Sequence, residues 1–154
     1  FIDAADWSDI DLVLGGQWAS APRRLRRRLV HTDPTACVDN HDTADIYRRS
    51  LTGFNIYRTD SYGEHSTADG WAIGPREVEL AACGTWFARQ PRYEGDDLFP
   101  FLPTFTDPAE LGDLIRWALA HPVERRDAAN RAQEAVADRT FASHAAAMLR
   151  RLGI

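Results

Sequence analysis

Apolar positions along this chain switch between short runs and helical spacing. Asp11-Leu12-Val13-Leu14, followed by Gly15-Gly16, reads as a buried strand ended by a glycine turn. Pro22 to Val30 reads as a helix with Pro22 near its first turn and Leu25 and Leu29 on one face. Ala36-Cys37-Val38 fits a short strand. Asn40 or Asp42 then caps a helix over Thr43 to Ser50, with Ile46 and Tyr47 inward. Leu51 to Tyr57 is a clear strand. Residues 58–74 form a long polar loop, of the length that often carries function.

The second half is more sharply punctuated. Pro75 opens a helix over Arg76 to Cys83, and Gly84 stops it. Thr85 to Ala88 is the next strand, and Pro91 to Pro103 is irregular and aromatic. Asp107, Pro108 and Glu110 form the best helix start in the chain: an N-cap, a first-turn proline and a residue that bonds back. Leu111, Leu114, Ile115, Ala118 and Leu119 follow on one face. His121-Pro122 breaks that helix. Glu124 to Asp138 and Thr140 to Leu152 supply two more, the last with Phe141, Ala145, Met148 and Leu152 on one side.

Strands alternating with helices predict an α/β fold with a mainly parallel, doubly wound sheet. Ligands in such folds sit at the carboxyl ends of the strands, near helix N-termini. The chain's 154 residues suit one domain, residues 1–154, with 1–10 as a leading segment.

Composition changes this picture little. Apolar residues make up 44% and charged residues 27%, as in ordinary globular proteins. The net charge of -5 disfavours general nucleic-acid binding. No apolar run approaches the ~20 residues of a membrane span. The leading segment, with Asp3, Asp6, Asp9 and Asp11, does not read as a signal peptide. A first residue of Phe1 rather than Met reads as a chain cut from something longer. All 18 basic residues are Arg. Codon usage in a GC-rich genome explains this as simply as selection for planar groups that grip phosphate. Cys37 and Cys83 have no metal-ligand spacing and read as reduced, structural cysteines of a cytoplasmic protein.

Candidate chemistry concentrates at residues 70–84. A helix N-terminus offers free N–H groups and about half a positive charge. Gly74 leaves room for close approach, and Arg76 can fork onto a phosphate. Glu79 lies three residues along, so both side chains face one mouth. A diphosphate on Arg76 would leave a ribose diol near Glu79. The same spacing also makes an ordinary helix ion pair.

Here the sequence resembles a family. Arg76-Glu-Val-Glu79-Leu-Ala-Ala-Cys-Gly84 resembles the Arg-x-x-Glu-x-x-x-Cys-Gly helix of GT-B glycosyltransferases, in the CgeB-like group (glycosyl transferases group 1). Asp45-Ile-Tyr-Arg-Arg-Ser50 and Asn55-Ile-Tyr57 resemble the helix and strand that precede the donor loop. Phe105-Thr-Asp-Pro-Ala-Glu-Leu111, His121-Pro-Val-Glu-Arg-Arg126 and Arg139-Thr-Phe-Ala-Ser-His144 resemble the closing helices. The match runs in order over about residues 10–152.

The resemblance implies a Rossmann-like three-layer domain that forms one half of a GT-B fold. It would bind a nucleotide-diphosphate sugar as donor substrate, with no other cofactor and no metal, beside an N-terminal domain of the same enzyme. Glu79 would hold the ribose and Arg76 would lie near the diphosphate. Asn55 and Tyr57 would line the cleft, and Gly15-Gly16 would turn close to the phosphates. Relatives often carry a second acidic residue eight positions before the helix glutamate. Trp71 stands there in this chain, with Asp69 and Glu64 out of register.

Other residues carry weaker signals. Arg23-Arg24-Leu25-Arg26-Arg27-Arg28 reads as a solvated helix face. His31, Asp33, His41 and Asp42 match no compact metal site. No Gly-x-Ser-x-Gly elbow or Gly-x-Gly-x-x-Gly turn is present. A catalytically silent Rossmann-like binding or assembly module is the alternative reading.

Overall fold

The computed structural model describes residues 1–57 and 70–154. A short 3-10 turn, Ile2–Ala4, leads into an extended segment, and the first helix is α1 (Arg23–Arg26). Then come α2 (Asn40–Arg49), β1 (Thr52–Asn55), α3 (Pro75–Ala82) and β2 (Trp86–Arg89). The chain closes with α4 (Tyr93–Leu98), α5 (Pro108–Ala120), α6 (Pro122–Ala135) and α7 (Phe141–Leu152).

β1 and β2 pair in parallel, with Thr52 opposite Trp86 and Asn55 opposite Arg89. Parallel pairing requires a crossover, and α3 is the helix in it. Residue Arg89 carries the sheet one step further through a parallel bridge to Thr104. There Arg89 N–H donates to the Pro103 carbonyl at 3.3 Å, and Phe105 N–H to the Arg89 carbonyl at 3.0 Å.

Side-chain alternation assigns the layers. Neighbouring strand residues point to opposite faces. Gly53 faces Leu80 of α3, whereas the Phe54 ring stacks on Trp7 of the leading segment at 5.7 Å. That leading segment is tied to α5 by Arg116, whose guanidinium donates to Asp9 at 2.8 Å and to the Asp6 carbonyl at 2.9 Å. The sheet is therefore sandwiched between α3 and α6 on one side and α5 with the leading segment on the other. All four residues of β2 are buried, as expected of a strand covered on both faces. This is the α/β build with a parallel sheet that the alternating pattern predicts, Rossmann-like as the resemblance implies, with a sheet of only two full strands among the described residues.

Several predicted boundaries hold for the reasons given. Asp107 caps α5 by accepting from Ala109 and Glu110 N–H at 2.8 and 2.9 Å, and Glu110 reaches back to Thr106 N–H at 2.7 Å. Leu111, Ile115 and Ala118 are buried. Gly84, at φ +70°, stops α3 in the left-handed region, where a residue with a Cβ is strained.

Other predictions need correction. The segment Asp11–Leu14 is no strand beyond a single bridge, Leu14 to Leu29. Leu12 and Leu14 are buried and Val13 is exposed, so the inward pattern is real but its partner is the stretch after α1. Leu14 N–H donates to the Arg28 carbonyl at 2.8 Å and Val30 N–H to the Leu14 carbonyl at 3.0 Å. This bridge also cuts the predicted helix over Pro22 to Val30 down to α1. Residues Ala36 to Val38 form no strand. The cap of α2 is Asp39, whose carboxylate accepts from His41 N–H at 2.8 Å, rather than Asn40 or Asp42. The stretch Pro91–Pro103 contains α4. Of the predicted loop, residues 58–69, Glu64 and Asp69 among them, lie outside the described residues.

Candidate functional site

The carboxyl ends of β1 and β2 meet the start of α3. Asn55 closes β1 and Tyr57 follows two residues on. Gly74 is the N-cap of α3 and Pro75 its first residue, so the first turn places Glu77 directly beneath the cap. The Glu77 carboxylate accepts a hydrogen bond from the Tyr57 hydroxyl and another from Gly74 N–H at 2.7 Å. The Asn55 amide reaches the same carboxylate. Asn55, Tyr57 and Gly74 thus come together around Glu77, a residue the sequence reading did not single out.

Glu77 is fully buried. Burial pushes its carboxyl above the usual range; the hydrogen bonds from Tyr57 and Gly74 and the charge of Arg89 pull the other way without prevailing. The Tyr57 phenol is pushed up too, first by burial and then by its bond to Glu77. It is a hydrogen donor at every physiological pH. The Arg92 guanidinium lies over the Tyr57 ring at 4.0 Å.

This arrangement changes the electrostatics expected of the helix start. Pro75 has no N–H to offer, and the Gly74 N–H is spent on Glu77. A carboxylate from within the helix already occupies the anion-favouring position. The Gly74 N–H is therefore already engaged and is not open to an incoming anion.

Arg76 and Glu79 lie on the outer side of the same helix. Arg76 Nη1 donates to Glu79 at 2.8 Å, with both side chains about half exposed. The Tyr47 hydroxyl of α2 also faces this pair, and burial raises its phenol. Arg76 and Glu79 share one face of α3 in the geometry of an ordinary i, i+3 ion pair, the alternative that their spacing left open.

Gly15 and Gly16 belong to a different neighbourhood. The Gly15 carbonyl accepts from the Trp18 indole at 2.9 Å, and a Cβ at Gly15 would meet Val38 at 3.0 Å. Gly16 takes φ +96° in the turn.

The sequence reading missed Arg89, the end of β2. Its side chain is 1% exposed and donates to Asp96 of α4 at 2.7 Å. Its Nε and Nη1 are buried without a hydrogen-bond partner among the described residues. A Cβ at Gly95 would lie 2.7 Å from Nη1, so the glycine inside α4 makes room for the guanidinium. A charge closing the apolar run Trp-Phe-Ala was the available signal. Glu77 was legible too, as the third residue of a helix started by Gly-Pro, but a glycine cap hides the usual capping-box pattern. Among the described residues, no group of three or more His, Cys, Asp or Glu could hold a metal ion. Nor is any helix there long and apolar enough to cross a membrane.

The polar side chains of this Rossmann-like domain gather where its parallel strands end, the place where open α/β sheets of this kind bind their ligands. The glycosyl transferase-like family matches residues 1–151, and the chain belongs to that family. No curated protein and no solved structure matches the chain.

Proposed function

We propose that this chain is the donor-binding domain of a GT-B glycosyltransferase, taking a nucleotide-diphosphate sugar whose glycosyl group passes to an acceptor. The observation that carries this reading is the meeting of Asn55, Tyr57 and Gly74 at the strand ends beside the exposed Arg76–Glu79 pair. Arg76 is half exposed and can exchange its bond to Glu79 for one to a diphosphate oxygen. Glu79, released, accepts from a ribose diol. Gly15 and Gly16 would turn close to the phosphates. In this reading the acceptor side and any catalytic base belong to an N-terminal domain, the enzyme is cytoplasmic, and no cofactor or metal is required.

Calorimetry with a panel of nucleoside diphosphates and nucleotide sugars tests the proposal. Micromolar to millimolar binding of one base series supports it; a folded protein that binds none of them removes it.

One feature favours the second reading, an assembly module. No residue of α7 is buried, and Phe141 and Leu152 are 98% and 70% exposed. Light scattering that finds tight self-association together with no nucleotide affinity would select that reading.

A further inference from the structure

We propose that Glu94, held by Arg139, is a positioning residue that sets the cap of α3 from outside the site. Glu94 is the second residue of α4, and its side chain is 17% exposed. Both carboxylate oxygens are used. Oε1 accepts from Arg139 Nη1 at 2.7 Å, and Oε2 accepts from Ile73 N–H at 3.0 Å. Glu94 N–H in turn donates to the Trp71 carbonyl at 3.1 Å. One residue therefore grips the chain entering α3 at two points. The Ile73 side chain rests over Gly95, where a Cβ would come within 3.1 Å of its Cγ2. Residues 70–73 belong to no helix or strand, so these contacts fix their register against α4.

Ile73 is followed directly by Gly74, the N-cap of α3. Gly74 N–H bonds to Glu77, and the same carboxylate holds Tyr57. A shift of Ile73 is therefore carried into the cap and on to the chain leaving β1. Arg139 acts at one remove, through Glu94. It lies 45 residues further along the chain, just before Thr140, the N-cap of α7. Its own N–H donates to the carbonyl of buried Val136 at 2.9 Å, so the guanidinium is carried on anchored backbone. A carboxylate that accepts from a cation on one oxygen and an amide on the other is held in a single orientation by charge-assisted bonds. Without Arg139 the carboxylate is free to turn toward water, and Ile73 N–H loses a fixed acceptor. The latch stands on these contacts; its effect on ligand affinity rests on the donor-site reading.

Amide hydrogen exchange, followed by NMR on the 154-residue chain, tests the latch without a ligand. Ile73 N–H should be protected in the parent. Arg139→Gln should speed its exchange roughly two- to fivefold, the worth of one partly exposed ion pair. Arg139→Lys keeps the charge and should return the rate toward the parent. Glu94→Ala removes the acceptor and should speed exchange roughly tenfold or more. In Arg139→Gln the Gly74 amide resonance should move, while the β2 amides keep their parental rates because the opening is local. Free exchange of Ile73 in the parent overturns the proposal. Parental Ile73 exchange in Arg139→Gln, or a Gly74 resonance that does not move, overturns it as well. Equal acceleration of Ile73 and β2 also does so, since Arg139 would then act only on global stability. Calorimetry with the uridine, cytidine, thymidine, guanosine and adenosine diphosphates adds the functional readout. Arg139→Gln should weaken whichever of them binds by roughly two- to fivefold. Unchanged affinity overturns the positioning role. A chain that binds none of them, yet shows the Ile73 and Gly74 responses, rejects the donor-site reading and keeps the latch.

Discussion

The Glu77 carboxylate accepts the hydroxyl hydrogen of Tyr57, so the first turn of α3 is fastened to the chain leaving β1. The same oxygen holds Gly74 N–H. One carboxylate thus fixes the cap of the helix and the chain leaving β1 together.

Removing either partner should have unequal effects. Tyr57→Phe deletes one donor to a charged acceptor and should cost about 1.5–3 kcal/mol. Glu77→Ala strands both the hydroxyl and the Gly74 N–H and should cost more, about 3 kcal/mol or above. Urea unfolding of the two variants reads the difference. Equal losses would mean that the carboxylate matters only through Tyr57.

The outer pair separates binding from folding. Arg76 and Glu79 form an exposed helix ion pair, which is worth at most about 0.5 kcal/mol. Arg76→Ala and Glu79→Ala should therefore leave the unfolding midpoint nearly unchanged. Under the donor-site reading, Glu79→Ala weakens nucleotide binding by roughly 1–3 kcal/mol, the worth of hydrogen bonds to a charged acceptor. Stability and affinity that both stay at parental values would take Glu79 out of the site.

Two glutamates should give the protein opposite pH signatures. Burial works to raise the Glu94 carboxyl, but hydrogen bonds from Arg139 and Ile73 outweigh it and hold the group below its usual range. Its contribution is present above the unfolded carboxyl range and is lost as pH falls through the lowered folded value. Glu77 is raised, so its contribution is present at acid pH and is lost as pH rises through the folded value. Melting curves from about pH 3 to 7, the span over which carboxyl groups titrate, check this. The deficit of Glu94→Gln against the parent should shrink toward acid, and that of Glu77→Gln should grow. Parallel slopes for the two variants would contradict it.

Gly84 carries a prediction about backbone conformation. At φ +70° an alanine pays the left-handed penalty, about 1 kcal/mol. Calorimetric melting should drop by about 2–4 °C in a domain of this size. An unchanged melting temperature would show that α3 can end without that conformation.

Local signals made half of this fold legible. Asp107 and Glu110 satisfy each other's backbone within four residues, so α5 could be read from its own sequence. The helix-strand alternation through Arg89 likewise followed from turn residues and apolar runs. Leu12 and Leu14 were harder, because their partner is Leu29, across α1, and no local pattern names a distant partner. Helix α4 was hidden because Gly95 lies inside it, a residue chosen for the clearance of Arg89 rather than for helix propensity. In the site, spacing put Arg76 and Glu79 together. It could not show that Glu77 would turn inward, since burial of a carboxylate depends on Asn55 and Tyr57 arriving from the end of β1 and the chain just beyond it.

The register of the two strands has a kinetic consequence. Thr52 meets Trp86 only after α3 has been laid across the sheet between them. Neither strand gains a ladder bond from near neighbours, so β1, β2 and the helix between them depend on contacts distant in sequence, which form slowly. Their carboxyl ends, where Asn55 and Arg89 pair, depend on the same contacts. A ligand held there should slow global unfolding and protect the amides of β1 and β2 from hydrogen exchange to the same degree, rather than quieting one local segment.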